Sequence, residues 1–256
     1  MKEFTLEVCA DSVESVLAAE RGGASRIELC QNLVIGGTTP SPCLFREIRN
    51  YSDIRIHILI RPRYGDFCYS DYEFAMMQEE IQMFRELGAQ GVVIGILKPN
   101  GTLNIGQLKT LMEKARGMSV TLHRAFDVCA DPFEAMEQAI DLGFSTILTS
   151  GQKNNCLEGA GLLRQLVEQS RGRIQIQAGA GVDADAIETL YRQTGIRAYH
   201  LSGKTALNSE MKYRKEGVSM GLPEIGEFEI LRTDEEKVRE ARRVLEQLGS
   251  GNREER

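Results

Sequence analysis

The sequence predicts a TIM (β/α)8 barrel, and three observations predict it. Eight short apolar runs rich in β-branched residues alternate with stretches of helical period along the chain. Several helical stretches end in one kind of phrase, "GGASRIEL", "LGAQGVVI", "LGFSTILT" and "TGIRAYHL", where a glycine stops the helix and a few residues lead into the next strand. The 256 residues match the size of eight such units, about 250. A doubly wound open sheet is the competitor. It carries fewer strands and a glycine-rich turn after the first, whereas here the first strand runs into "CADSVES", without a glycine.

Taken in order, the strands are "FTLEVCA", "RIELC", "RIHILIRPR", "GVVIGIL", "SVTLHRAFD", "TILTSG", "IQIQAGAGV" and "AYHLSG". The first helix, "SVESVLAAERGGA", has Ser12 as N-cap and a glycine stop. "TPSPCLFREIRNYS" fills the slot after the second strand. "YEFAMMQEEIQMFRELGA", "NIGQLKTLMEKARG", "DPFEAMEQAIDLGF", "LEGAGLLRQLVEQSRG" and "DADAIETLYRQTGI" continue the alternation, with Asp183 capping the last of them. After "SGK" a long irregular segment, "TALNSEMKYRKEGVSMGLPEIGEFEILRT", precedes the final helix "DEEKVREARRVLEQLG". Loops of that length are functional, interface-forming or flexible insertions. Residues 1–248 read as one domain and 249–256, "GSGNREER", as a frayed end.

Composition narrows the function. Of the residues, 42% are hydrophobic and 27% charged, enough for a sizeable core, and no apolar run has the length of a membrane span. The N-terminus lacks the basic head and apolar middle of a signal peptide, so a cytoplasmic protein is expected. Six cysteines without a secretion signal read as reduced thiols, and the absence of a CxxC pair argues against a zinc ribbon. With net charge −6 and dispersed Lys and Arg, a nucleic-acid groove is not expected; neither is a membrane partner.

In a TIM barrel the chemistry sits at the C-terminal strand ends. Those ends supply Glu7 and Cys9, Glu28 and Cys30, Arg61 and Arg63, His123 with Arg124 and Asp127, Thr149 and Ser150, Gln177, and His200 with Ser202. Side chains alternate along a strand, so Glu7 shares a face with Cys9 and Glu28 with Cys30. "EVC" and "ELC" then read as a doubled element, two carboxylates in one layer and two thiols above. Adjacent carboxylates repel and raise one pKa unless cations intervene, and Arg61, Arg63 and Arg124 are the cations at hand. The arrangement is either a buried ion-pair network plugging the mouth or an acid/base site. His123 is expected to face inward toward the Glu7–Glu28 pair, with Asp127 in the following loop fixing an arginine.

Two thiols on adjacent strands suit a soft ion such as Cu(I), although a buried cysteine also serves as a small hydrophobe. Cys43, Cys68, Cys129 and Cys156 fall in predicted loops. "AGAGV" and "SGK" occupy the usual phosphate-binding place of this fold. There Gly179 and Gly181 would admit backbone N–H groups to an anion, beside Ser202, Gly203 and the charge of Lys204. A tight strand-to-helix turn would use the same glycines. "RPRYGDFCYSDYE" reads as a structured loop over the mouth or an oligomer contact.

Together "EVCADSVESVLAAERGGASRIELC", "GGTTPS", "IRPRYGDFCYSD", "TLHRAFD", "LTSG" and "YRKEGVSMG" make the chain resemble the CutC family of copper homeostasis proteins, from residue 5 to about 221. The resemblance implies a TIM barrel, a cytoplasmic location, a homo-oligomer (dimer or tetramer) and a copper role with Cys9 and Cys30 as Cu(I) ligands. The chain departs from the family's Pro-Gly-Gly-Gly run after strand seven, placing Ala178 and Ala180 there. The methyl of Ala180 restricts the backbone.

Three functions follow as expectations. One is copper binding through Cys9 and Cys30. A second is an enzyme acting on a small anionic metabolite, a phosphorylated one included. In it Glu7 or Glu28 would serve as acid or base with His123 or His200, and Arg61 and Arg124 would hold the anion. The third is a structural barrel with a decayed site.

Overall fold

The computed structural model describes residues 4–218, 220 and 226–254. Eight parallel strands close into one barrel in sequence order: β1 (Thr5–Ala10), β2 (Arg26–Leu29), β3 (Ile56–Leu59), β4 (Gly91–Ile94), β5 (Ser119–Leu122), β6 (Thr146–Thr149), β7 (Gln175–Ala178) and β8 (Ala198–Leu201). The helices of the ring are α1 (Val13–Arg21), α2 (Pro42–Arg49), α3 (Asp71–Glu86), α4 (Ile105–Lys114), α5 (Pro132–Leu142), α6 (Ala160–Ser170), α7 (Ala184–Thr194) and α8 (Glu235–Glu254). The TIM barrel predicted from the alternation is the observed fold. Ser12 and Asp183 cap α1 and α7 through their side chains, and Gly195 ends α7 in the left-handed region.

Strand alternation divides the barrel into two unlike layers. The outward residues, among them Val8, Ile27, Ile58, Val92, Leu122, Ile147, Ile176 and Tyr199, join the helix side chains Val16, Phe45, Phe84, Leu111, Leu163, Leu190 and Val238 in one apolar cluster. Fully burying each such side chain contributes about 1.5–3 kcal/mol, so this layer carries the fold. The lumen is different. Its apolar cluster is small, Cys30, Leu59 and Val93 with Leu33 against them, and polar side chains make up much of the rest.

Glycines let large lumen side chains lie flat. A Cβ on Gly91 would stand 2.5 Å from the His57 ring, one on Gly95 2.5 Å from the His123 ring, and one on Gly179 2.6 Å from Leu148. Those distances are unattainable without displacing the neighbour, so each glycine is a space made for the strand beside it.

After β8 the chain forms an antiparallel two-stranded ribbon, β9 (Lys204–Asn208) with β10 (Glu229–Thr233), within the segment that reads as irregular. Residues 219 and 221–225 of that segment, which include part of "YRKEGVSMG", lie outside the described residues. Gly249 does not end α8 as a frayed tail would; the helix runs on to Glu254. In that last stretch the Ser250 hydroxyl donates to the Glu246 carbonyl at 3.0 Å. Residues 255 and 256 lie outside the described residues. Cys43, expected in a loop, stands in the first turn of α2.

Gly95→Ala is expected to destabilise the fold by about 1–3 kcal/mol, the usual effect of overpacking, because the added methyl would stand 2.5 Å from the His123 ring. Alanine at Gly161, where a Cβ meets nothing within 4 Å, serves as the control; urea unfolding of the two variants measures the difference.

Candidate functional site

Four strands meet on one carboxylate. Glu7 is wholly buried. Its Oε1 accepts from the Gln177 amide at 2.8 Å and lies 2.8 Å from His200 Nδ1, and its Oε2 accepts from the Arg26 guanidinium. Arg26 also donates to Gln177 Oε1 at 3.0 Å, which sets the orientation of that amide. Burial alone would raise the Glu7 pKa, but Arg26 and His200 outweigh it and hold the carboxyl well below its ordinary range. His200 is shifted the other way. Burial opposes its charge, yet Cys9, Glu28 and Glu7 together raise its pKa well above that of a free imidazole.

The doubled "EVC"/"ELC" layer is staggered. In register Glu7 stands opposite Arg26, and Cys9 opposite Glu28. The tilt of strands in a closed barrel imposes this offset, and it gives the two carboxylates different surroundings. The cation between them is Arg26, neither Arg61, Arg63 nor Arg124. Arg63 has left the barrel to pair with Asp66 and Glu73 at 2.9 and 2.7 Å.

Glu28 is the exception among the lumen's charged groups. It is 6% exposed, makes no hydrogen bond among the described residues, and its buried Oε2 has no partner. Burial raises its pKa to about 7, and the neighbouring Glu7 charge adds to the effect. It faces a cavity of about 680 Å3 at the C-terminal mouth, which Cys9, Cys30, Arg61, Phe67, His123 and His200 also line.

His123 lies on the lumen side, 4% exposed, but just past β5, across the ring from Glu7. The imidazole that meets the carboxylates is His200; His123 packs on Phe67, ring centroids 4.8 Å apart. Its pKa is depressed to about 3 by burial and by Arg61. Arg124 and Asp127 pair at 2.7 Å, as expected for a loop aspartate fixing an arginine. Asp127 also accepts from Thr149 Oγ1, from the N–H and hydroxyl of Ser150, and from Gln152 N–H. It therefore ties "TLHRAFD" to "LTSG", with its oxygens fully used.

The glycine loops are only partly open. Gly179 N–H donates to the Thr149 carbonyl at 3.0 Å, so it is not available to an anion. Ala180 adopts φ +67° despite its methyl, a left-handed conformation that costs about 1–2 kcal/mol, and its carbonyl accepts from Cys156 N–H. Gly181, Ser202 and Lys204 line the cavity, whereas Gly203 lies beside Val238 and Thr233.

Metal donors are of two kinds. Ligand atoms of Glu7, Glu28 and His200 lie within 4.8 Å of one another. Glu7 is already saturated, and the Arg26 guanidinium beside it repels a cation, so this trio does not fit a divalent ion. Cys9 and Cys30 fit a soft ion better by donor type. Each thiol now donates to a main-chain carbonyl, Cys9 to Leu201 at 3.7 Å and Cys30 to Ala10 at 3.6 Å. Burial and the neighbouring Cys9 push the Cys30 pKa well up, so a metal would have to displace its proton.

Two lumen residues escape a reading confined to strand ends. Arg26 and His57 stand at strand starts. Parity could have found them, since Arg26 shares a face with Glu28 and His57 with Arg61. His57 lies on the lumen floor, its pKa lowered to about 4 by burial and by Arg26.

Removing Arg26 should separate structural from peripheral pairs. Arg26→Met is expected to cost about 3–5 kcal/mol, the effect of stranding a buried charge. Breaking the exposed pair with Arg164→Ala is expected to cost less than about 1 kcal/mol. Chemical denaturation of both variants gives the comparison.

A model of the CutC family matches residues 4–205 of the chain. A CutC family protein of Bacteroides fragilis is 48% identical over 233 residues, 90% of this chain and 92% of its own length. One from Pasteurella multocida is 44% identical over 241 residues, 94% and 98% of the two chains. The crystal structure of a Streptococcus agalactiae CutC, which bears the name copper homeostasis protein, superimposes with a TM-score of 0.74 at 33% identity, over 78% of this chain and 98% of that one. A thiamine phosphate pyrophosphorylase from Pyrococcus furiosus has a TM-score of 0.56 at 17% identity, over 95% of this chain and 96% of that one, a likeness of fold alone. Among the described residues no helix is long and apolar enough to cross a membrane.

Proposed function

The chain belongs to the CutC family, and on that premise we propose that it is an enzyme that moves a proton on a small anionic metabolite, with Glu28 as the acid/base. The observation that carries this reading is the state of Glu28: buried, without a hydrogen bond, and facing the cavity. An unpaired buried carboxyl is costly, and a fold that needed only stability would have paired it as it pairs Glu7. Its pKa of about 7 lets it accept and return a proton near neutral pH, where general catalysis is most effective. His200, kept protonated against Glu7, supplies positive charge beside it, where negative charge would develop on a substrate. Arg61, just past the neighbouring strand β3, and His123, just past β5, also line the cavity.

A second reading is Cu(I) as cargo, supported by Cys9 and Cys30 lining the same cavity from adjacent strands. Two thiolates would hold the ion, and binding would release the thiol protons.

The acid/base reading has a direct stability test. Below 4.5, the ordinary value, Glu28 is protonated in both folded and unfolded chains and its contribution is fully present. Between 4.5 and about 7 the folded carboxyl keeps a proton that the unfolded chain loses. Stability therefore falls as pH rises through this window, by about 3 kcal/mol in full. Neutral burial of His57 and His123 acts in the opposite sense, losing stability as pH falls. The difference between wild type and Glu28→Gln thus reports Glu28 and its coupling to His200: the unfolding free energy of the wild type should fall more steeply from about pH 5 to 7 than that of the variant. Equal slopes would remove the case for a near-neutral acid/base.

For copper, competition with a chromophoric Cu(I) chelator is expected to show tight binding that Cys9→Ser and Cys30→Ser each weaken by at least about tenfold, since each removes one of two ligands. Affinity unchanged in both variants would end that reading.

A further inference from the structure

The two cysteines of the mouth are not equivalent. Cys30 is wholly enclosed and packs with Leu59 and Val93. Its thiol donates to the Ala10 carbonyl at 3.6 Å, and its charged neighbours, Glu28 and Asp11, are acidic. Cys9 keeps some exposure, 7%. Besides the Leu201 carbonyl at 3.7 Å, it has a second partner, a side-chain hydrogen bond with His200.

His200 is held from its other side. Its Nδ1 lies 2.8 Å from Glu7 Oε1, which leaves Nε2 as the ring nitrogen for the thiol. Arg26 and Gln177 fix the Glu7 carboxylate in turn. Thiol, imidazole and carboxylate therefore follow one another along the seam of β1 and β8. Glu7 is opposite His200 in register, and Cys9 is the next residue up on the same face of β1. Cys9 and His200 line the cavity, and Glu7 is buried behind them. A thiol bonded to a base that a third group orients is the arrangement of an activated nucleophile. A cysteine that only fills space needs none of it, and Cys30 has none of it. Glu28 stands on the next strand, its Cα paired with that of Cys9.

We propose that Cys9 is a nucleophile activated by His200 and Glu7, and that the substrate is a small anionic aldehyde or ketone whose carbonyl carbon it attacks beside Glu28. The inference rests on Glu28 as the acid of the site and names the bond that this acid serves. The Cys9 sulfur forms a bond to the carbonyl carbon, and the proton it shares with His200 stays on the ring. The electron pair of the C=O π bond moves to the oxygen, which takes the Glu28 proton. The product is a thiohemiacetal, or a thiohemiketal from a ketone, and Glu28 is left as a carboxylate. Nothing is oxidised or reduced. A proton donor beside the sulfur is where an attacked carbonyl develops its negative charge.

The test alkylates the full chain with limiting iodoacetamide at neutral pH and reads each cysteine by peptide mass spectrometry. Exposed Cys43 is the internal reference. Cys9, although nearly enclosed, is expected to react at least about tenfold faster than Cys43. His200→Gln is expected to remove that advantage and leave the Cys43 rate unchanged. Should this variant open the mouth, Cys30 becomes reactive too, and the Cys9-to-Cys43 ratio of the unaltered chain decides alone. Glyoxylate and pyruvate serve as carbonyl probes, with glycolate and lactate as the matching alcohols. At least one carbonyl acid is expected to slow Cys9 alkylation saturably, at about a tenth or less of the concentration its alcohol needs. Cys9 no faster than Cys43, an unchanged ratio in folded His200→Gln, or protection no better from either carbonyl acid than from its alcohol would overturn the proposal. Glu28 is read by pH in the untreated chain, so either idea fails without the other.

Discussion

The Glu7 carboxylate is the contact on which the site depends. It lies at the seam where β1 meets β8 and closes the ring, and it takes Arg26, Gln177 and His200 from three other strands. Each of those side chains is polar and buried, and leaving any of them unpaired would cost free energy; together they satisfy one another. The consequence for Glu28 is direct. Arg26 and His200 bond Glu7, and neither bonds Glu28, one step higher. Burial therefore governs Glu28 and favours its neutral form against the nearby charges of His200 and Arg26.

Such a lumen is tolerated because it is not where the barrel gets its stability. The continuous apolar layer lies between sheet and helices. A TIM barrel can therefore place chemistry inside the ring with little effect on the contacts that hold the ring closed. Glycines opposite His57, His123 and Leu148 show how tightly the interior is nevertheless filled. They exchange chain entropy for room beside those side chains.

Much of this was legible in the sequence, and for physical reasons. Period-2 apolar runs mark strands, glycine-terminated amphipathic runs mark helices, and eight of each in this length leave one economical closure. The polar residues at strand ends were visible for the same reason. What was hidden is register. "EVC" and "ELC" look equivalent, but strand tilt moves Glu28 to the level of Cys9, and no single strand records that offset. Attention to strand ends also passes over Arg26 and His57, because the lumen of this barrel is polar below the mouth as well as at it. The extension of α8 beyond Gly249 was hidden because a glycine after an amphipathic run reads as a helix stop.

Charge also relates the two readings of the cavity. Arg26 stands with His200 against Glu7, and Arg61 has no carboxylate counter-ion among the described residues. The balance is positive, which repels a bare cation and attracts anything that enters with net negative charge. A carboxylate does so. So does Cu(I) once two thiolates hold it, because one positive charge then sits between two negative ones. The same field therefore favours both occupants, and electrostatics alone does not choose between them. The state of Glu28 does. A dithiolate centre gives the unpartnered carboxyl of Glu28 nothing to do, whereas a metabolite that exchanges a proton with it gives it a role, which is why the enzyme reading explains more of this interior.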